Sequence, residues 1–179
     1  MDYQDVLIFW FEQCTPTDWF KKSDEFDQLI HQRFAKIHQM VAQGECAHWR
    51  ATAQGSLAEV IVLDQFSRNI YRDQIASFAS DPMALTLAQV AIEKGFDQML
   101  KPEEKSFLYM PFMHSESRFI HQQAVKLFNQ QGLENNYQFE LAHQAIIERF
   151  GRYPHRNAIL NRQSSEEELT FFAQPNSSF

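Results

Sequence analysis

Apolar side chains recur at three- and four-residue steps along most of this chain, and that period restricts the fold more than any other feature. Between Ser23 and Gln43 the series Phe26, Leu29, Ile30, Phe34, Ile37 and Val41 predicts one long amphipathic helix, with Gly44 placed to end it. A first helix is expected over Asp2 to Glu12. Ser56-Leu-Ala-Glu59 reads as a capping box that starts another, running to about Tyr71. Asp81-Pro82 and Pro102 open two more, with Gly95 closing the first. Pro111 is expected to kink or break the second. Ser115 is placed to cap a helix to about Gln130, Asn136 one over Tyr137–Phe150 ended by Gly151, and Ser164-Ser165 a short last one. No strand pattern remains. Only 5 glycines and 6 prolines punctuate 179 residues, which suits long helices and disfavours a turn-rich β chain. The expectation is an all-α fold of antiparallel helical hairpins, one domain over residues 1–173, and a mobile tail over 174–179.

Charge narrows the function. The chain carries 16 basic and 23 acidic side chains, a net of −7, so a general nucleic-acid interface is excluded. The charge is uneven: Arg149, Arg152, Arg156 and Arg162 fall in a stretch without acids, leaving −11 elsewhere. A basic island in an acidic chain is a candidate anion site, unless its arginines pair with acids brought in by the fold. Two cysteines, Cys14 and Cys46, form no CxxC and no disulfide framework. There is no basic n-region of a signal peptide, and no apolar run approaches a membrane span. A cytoplasmic protein without membrane contact is the expectation. Oligomeric state is not defined by the sequence.

Three segments carry the polar chemistry. On a helix, Asp64, Gln65, Arg68, Asn69 and Arg72 share one face, so Asp64 would orient Arg68, and Arg68 and Arg72 would point at an anion. His114 and Glu116 fall on core-facing stripes at a helix junction, where a buried carboxylate needs an arginine, a histidine or a metal. His143 lies on the stripe Phe139, His143, Ile146, Phe150. Arg149-Phe-Gly-Arg152-Tyr-Pro-His155-Arg156-Asn157 suits recognition of a carboxylate or phosphate, because guanidinium donates in a planar fork. His114, Glu116, His143 and His155 form only a weak metal-ligand pattern, so no metal ligand is assigned and no cofactor is named. No phosphate-binding glycine loop, nucleophile elbow or Cys–His pair is present.

Leu63-Asp-Gln-Phe-Ser-Arg-Asn-Ile70, His114-Ser-Glu116 and Phe150-Gly-Arg-Tyr-Pro-His-Arg-Asn157, followed by Ser164-Ser165-Glu-Glu, together resemble the bacterial domain-of-unknown-function family nine-two-four. The resemblance implies a fold similar to tetratricopeptide-repeat proteins, an α-α superhelix, and implies no activity. The chain departs from the family pattern at Ser67, where proline is usual, and at Asn161, where glycine is usual. Asn tolerates left-handed backbone, so the second turn should survive. Loss of proline at the first position should only relax a conformational restraint.

Three functions remain open. The first is a groove in which Asp64, Arg68, Asn69, Arg72, His143, Arg152, Arg156 and Asn157 hold an anionic small molecule or an acidic peptide end. The second is a hydrolase-like enzyme with His114, Glu116 and His155 as acid-base groups. The third is a set of structural networks only. Convergence of Arg68, His114, His143 and Arg156 on one solvent-reachable cavity favours either of the first two.

Overall fold

The computed structural model describes residues 2–173, which contain no strand. The expected tail at 174–179 lies outside the described residues. Ten α-helices follow in order: α1 Tyr3–Ile8, α2 Pro16–Phe20, α3 Asp24–Ala42, α4 Ala53–Ile61, α5 Ser67–Ile70, α6 Asp81–Glu93, α7 Pro102–Met113, α8 Arg118–Phe128, α9 Glu134–Phe150 and α10 Glu166–Phe172. Two π turns interrupt the regular spacing, Phe9–Gln13 after α1 and Val62–Phe66 between α4 and α5.

Helix α4 is buried along nearly its whole length and packs against α1, α6 and α7. Around it lies one apolar cluster that includes Trp10, Phe34, Phe66 and Phe107. Trp10 meets Phe66 and Phe107 edge-on, each at 5.5 Å between ring centroids. The C-terminal helices continue as hairpins. Lys105 on α7 bonds Gln130 just past α8, and Arg118 at the start of α8 bonds the carbonyl of Glu148 near the end of α9. Both pairs run antiparallel.

Several helix starts differ from the sequence reading. α4 begins at Ala53, capped by the Thr52 hydroxyl, which accepts from Gly55 N at 3.0 Å. Ser56 and Glu59 are therefore interior residues. Glu59 is sealed in the core and takes a fork of two bonds from Arg50, at 2.8 and 3.1 Å. Ser117 caps α8 in place of Ser115, and α9 starts at Glu134, ahead of Asn136. α7 runs through Pro111 without a break and stops at Met113. Residues Ile75–Glu93 have the length and mean hydropathy, 1.3, of a membrane crossing, which the sequence reading did not find. A turn at Ala79–Ser80 divides them, and Asp81 in their middle is ion-paired.

The turn before α4 holds Gly55 against Trp49, where an added Cβ would sit 2.0 Å from a backbone carbonyl oxygen. Gly55→Ala is expected to cost about 3 kcal/mol, as overpacking against a fixed backbone does. Gly44→Ala has open space but a φ of +77° and should cost only about 1 kcal/mol. Urea unfolding of both variants checks the order.

Candidate functional site

The π turn at Val62–Phe66 aims a carboxylate inward. Asp64 is 1% exposed and yet charged. Its Oδ1 accepts from His114 Nδ1 at 2.7 Å and lies 3.2 Å from Arg68 Nη1. Its Oδ2 accepts from Gln65 Nε2 at 2.6 Å. Burial alone would push this carboxyl up. Arg68 and His114, with the hydrogen bonds from His114 and Gln65, outweigh burial and hold it well below the usual carboxylate range. His114 is also held below its ordinary value, because burial and then Arg68 disfavour its cation more than Asp64 favours it. At neutral pH the pair is thus an aspartate and a neutral imidazole whose proton sits on Nδ1. Nε2 is left as an acceptor, with no hydrogen-bond partner among the described residues.

Two arginines from distant parts of the chain meet beside this pair. Arg68 holds both oxygens of Asp81, at 3.0 and 3.1 Å, and donates to the Asp64 carbonyl at 2.6 Å. Arg156 reaches Asp81 Oδ2 at 3.4 Å and the His114 carbonyl at 2.9 Å. The Arg156 guanidinium packs on two rings, 4.6 Å from Phe78 and 4.7 Å from Tyr153. Its Nε is buried without a partner. Arg68 and His114 are crowded by neighbours, yet their side chains keep 21% and 18% exposure, and Asp81 keeps 17%. These polar groups lie deep in the fold and are still reached by solvent.

Tyr153 organises the neighbouring wall. Its hydroxyl donates to the Met113 carbonyl at 2.5 Å, pinning the end of α7 and so the position of His114. Its amide donates to Glu116 at 2.7 Å. The rings of His121, His143 and His155 contact it, with centroids at 6.2, 5.7 and 5.4 Å. Burial pushes His143 down to about 3 and His155, next to Arg156, down to about 4. His143 Nδ1 donates to the Phe139 carbonyl at 2.7 Å, while His155 Nδ1 is buried without a partner. Behind Tyr153, His121 places Nδ1 on Glu140 at 2.6 Å and Nε2 on the Ser115 carbonyl at 2.8 Å. The Tyr153 hydroxyl also lies 3.2 Å from His121 Nε2.

The structure brings together Asp64, Arg68, His114, His143, His155 and Arg156. It does not bring in the other expected site residues. Asn69 and Arg72 turn to Asp27, Asn69 at 2.8 Å and Arg72 through a forked ion pair. Arg152 forks onto Glu168, at 2.7 and 2.8 Å. Asn157 bonds Ser164 and Arg162. Glu116 is neutralised by a fork from Arg162, at 2.7 and 2.9 Å. Every arginine of the basic island is thus ion-paired, Arg149 with Glu167 and Arg156 with Asp81. Among the described residues no three of His, Cys, Asp and Glu are grouped to hold a metal ion, and the His114, Glu116, His143, His155 set does not assemble. Asp81, Tyr153, His121 and Glu140 belong to the site and were not expected there.

Comparison with known proteins agrees with the motifs. The family model described as "Bacterial protein of unknown function (DUF924)" matches residues 6–176, and the chain belongs to that family. A solved structure titled "Structure of Protein of Unknown Function ATU0120 from Agrobacterium tumefaciens" is 36% identical, superposes with a TM-score of 0.87, and covers 95% of this chain and 96% of its own. No curated protein matches. The two departures from the family pattern have structural readings. Asn161 adopts φ +54°, the left-handed turn expected of it. Ser67 does more than relax a restraint: its hydroxyl bonds the Leu63 carbonyl at 2.6 Å and His38 Nε2 at 2.7 Å.

These protonation states set a pH dependence. His114, His143 and His155 fold with values below their ordinary 6.5, so the unfolded chain takes up protons first as pH falls. Their contribution is full above 6.5 and is lost as pH drops toward the folded values. Asp64 and Glu116, both held low, extend the loss below about pH 4. The urea midpoint should hold between about pH 7 and 8 and fall steadily from about 6.5 to 4.5, with a shallower slope in His143→Gln. A midpoint independent of pH over that range contradicts the assignment.

Proposed function

We propose that this protein binds a small anionic molecule, or the acidic end of a peptide, in the cleft floored by Arg68, His114 and Arg156 and flanked by His143 and His155. The observation that carries the reading is the meeting of two guanidinium groups, from α5 and from the turn at Pro154–Arg156, at the Asp81 carboxylate, with Arg156 Nε still unsatisfied. Buried arginines are costly unless paired, and orphaned donors more so. An anion in the cleft supplies acceptors to both. The hairpins α7–α8 and α8–α9 support a tetratricopeptide-like course for that half of the chain, with the cleft beside it. In a thermal-shift panel of phosphates, carboxylates and acidic peptides, a ligand at ten times its Kd should raise Tm by about 3–5 °C. The rise should vanish in Arg156→Lys, which keeps the charge and loses the fork. No rise with any anion at millimolar concentration, or one unchanged by Arg156→Lys, defeats the reading.

A second reading rests on His114. A neutral imidazole fixed by an ionised Asp64, with Nε2 open, has the form of a general base, and Arg68 and Arg156 are placed to hold developing negative charge. A broad esterase and phosphatase screen tests it. Any activity found should fall at least about a hundredfold in His114→Ala. Activity unaffected by that change removes the reading.

A further inference from the structure

The geometry points to a carboxylate as the group this cleft recognises, bound in the place that Asp81 fills in the free protein. The inference rests on the anion-binding reading and specifies its ligand class. Asp81 is the first residue of α6 and follows the turn Ile75–Phe78, so the same strap delivers Phe78 onto Arg156 and the carboxylate onto Arg68. Arg68 meets it end-on, one Nη to each oxygen at 3.0 and 3.1 Å, which is the planar fork-to-fork arrangement of guanidinium with carboxylate. Arg156 adds a longer contact at 3.4 Å, with its guanidinium 4.6 Å from the Phe78 ring and 4.7 Å from the Tyr153 ring. Two oxygens matched to two Nη donors, with aromatic rings beside the second guanidinium, fit a planar carboxylate.

Asp81 is also the member of the cluster able to leave. Asp64 is sealed and held by three partners, whereas Asp81 is partly exposed and the α6 cap at Ser80 makes no side-chain hydrogen bond. Released to solvent, its charge would still lie at the N-terminus of α6, where a carboxylate is favoured. An incoming carboxylate therefore replaces an equivalent charge and leaves the arginines neutralised throughout.

The test removes the internal carboxylate and supplies a free one. Asp81→Ala, with Asp81→Asn as a second variant in case the first folds poorly, is melted in acetate, formate, sulfate, phosphate and chloride at matched ionic strength. Acetate or formate at tens of millimolar should raise Tm of either variant by about 3–5 °C above chloride. The gain should be absent from wild type at the same concentration and from Asp81→Ala combined with Arg68→Gln. Stabilisation by sulfate or phosphate equal to that by acetate overturns the carboxylate assignment and leaves an anion site. Stabilisation by no anion in either variant overturns the exchange. A wild-type panel that is also silent then removes the anion reading itself.

Discussion

A carboxylate sealed inside a helical protein must be neutralised from within, and much of this structure follows from how Asp64 is neutralised. The cost of burying it is met by Arg68, four residues on, and by His114, fifty residues away. The first partner keeps an arginine deep in the molecule, and that arginine then needs a second carboxylate, which Asp81 provides. The second partner ties the end of α7 to the π turn. Asp81 in turn collects Arg156, and Tyr153 beneath it holds the carbonyl of Met113 and the side chain of Glu116. One inward charge thus links α5, the start of α6, the end of α7 and the loop after α9.

The all-α class and most helix positions were legible from periodicity, because apolar stripes and capping residues are local signals. Helix starts were less so. Ser56-x-x-Glu59 has the letters of a capping box, but Thr52 stands four residues earlier and caps the helix, and Arg50 claims Glu59. The two π turns were not legible. Around the one-residue widening at Val62–Phe66, Asp64 and Arg68 meet His114 and Asp81 while Asn69 and Arg72 turn to Asp27, so the single polar face read at α-helical spacing divides in two. Asn161 shows the opposite case, where backbone preference alone foretold a left-handed turn that the structure contains.

The site was half legible. His114, Arg68 and Asp64 stood out because polar residues on apolar stripes need partners. Charge counting misled in the loop after α9, since the acids that neutralise Arg149, Arg152 and Arg162 come from elsewhere in the chain, two of them from α10. Asp81 was hidden by its role as a helix opener, and Tyr153 by its apolar ring. His121 offered a signal that went unused: it shares a stripe with Ala124 and Phe128, all three buried. A histidine there needs a buried acceptor, and Glu140 is it.

Arg156 stands beside the proposed carboxylate site with its Nε donor unspent. The Nε–H of Arg156 is a single resonance in a nitrogen–proton correlation spectrum, assigned by its loss in Arg156→Lys. Titration of acetate into Asp81→Ala should move that resonance in a saturable way, while the Nε–H of Arg152, already bonded to Glu168, stays in place. A resonance that does not move, or one that moves together with every exposed arginine in proportion to salt, contradicts the claim.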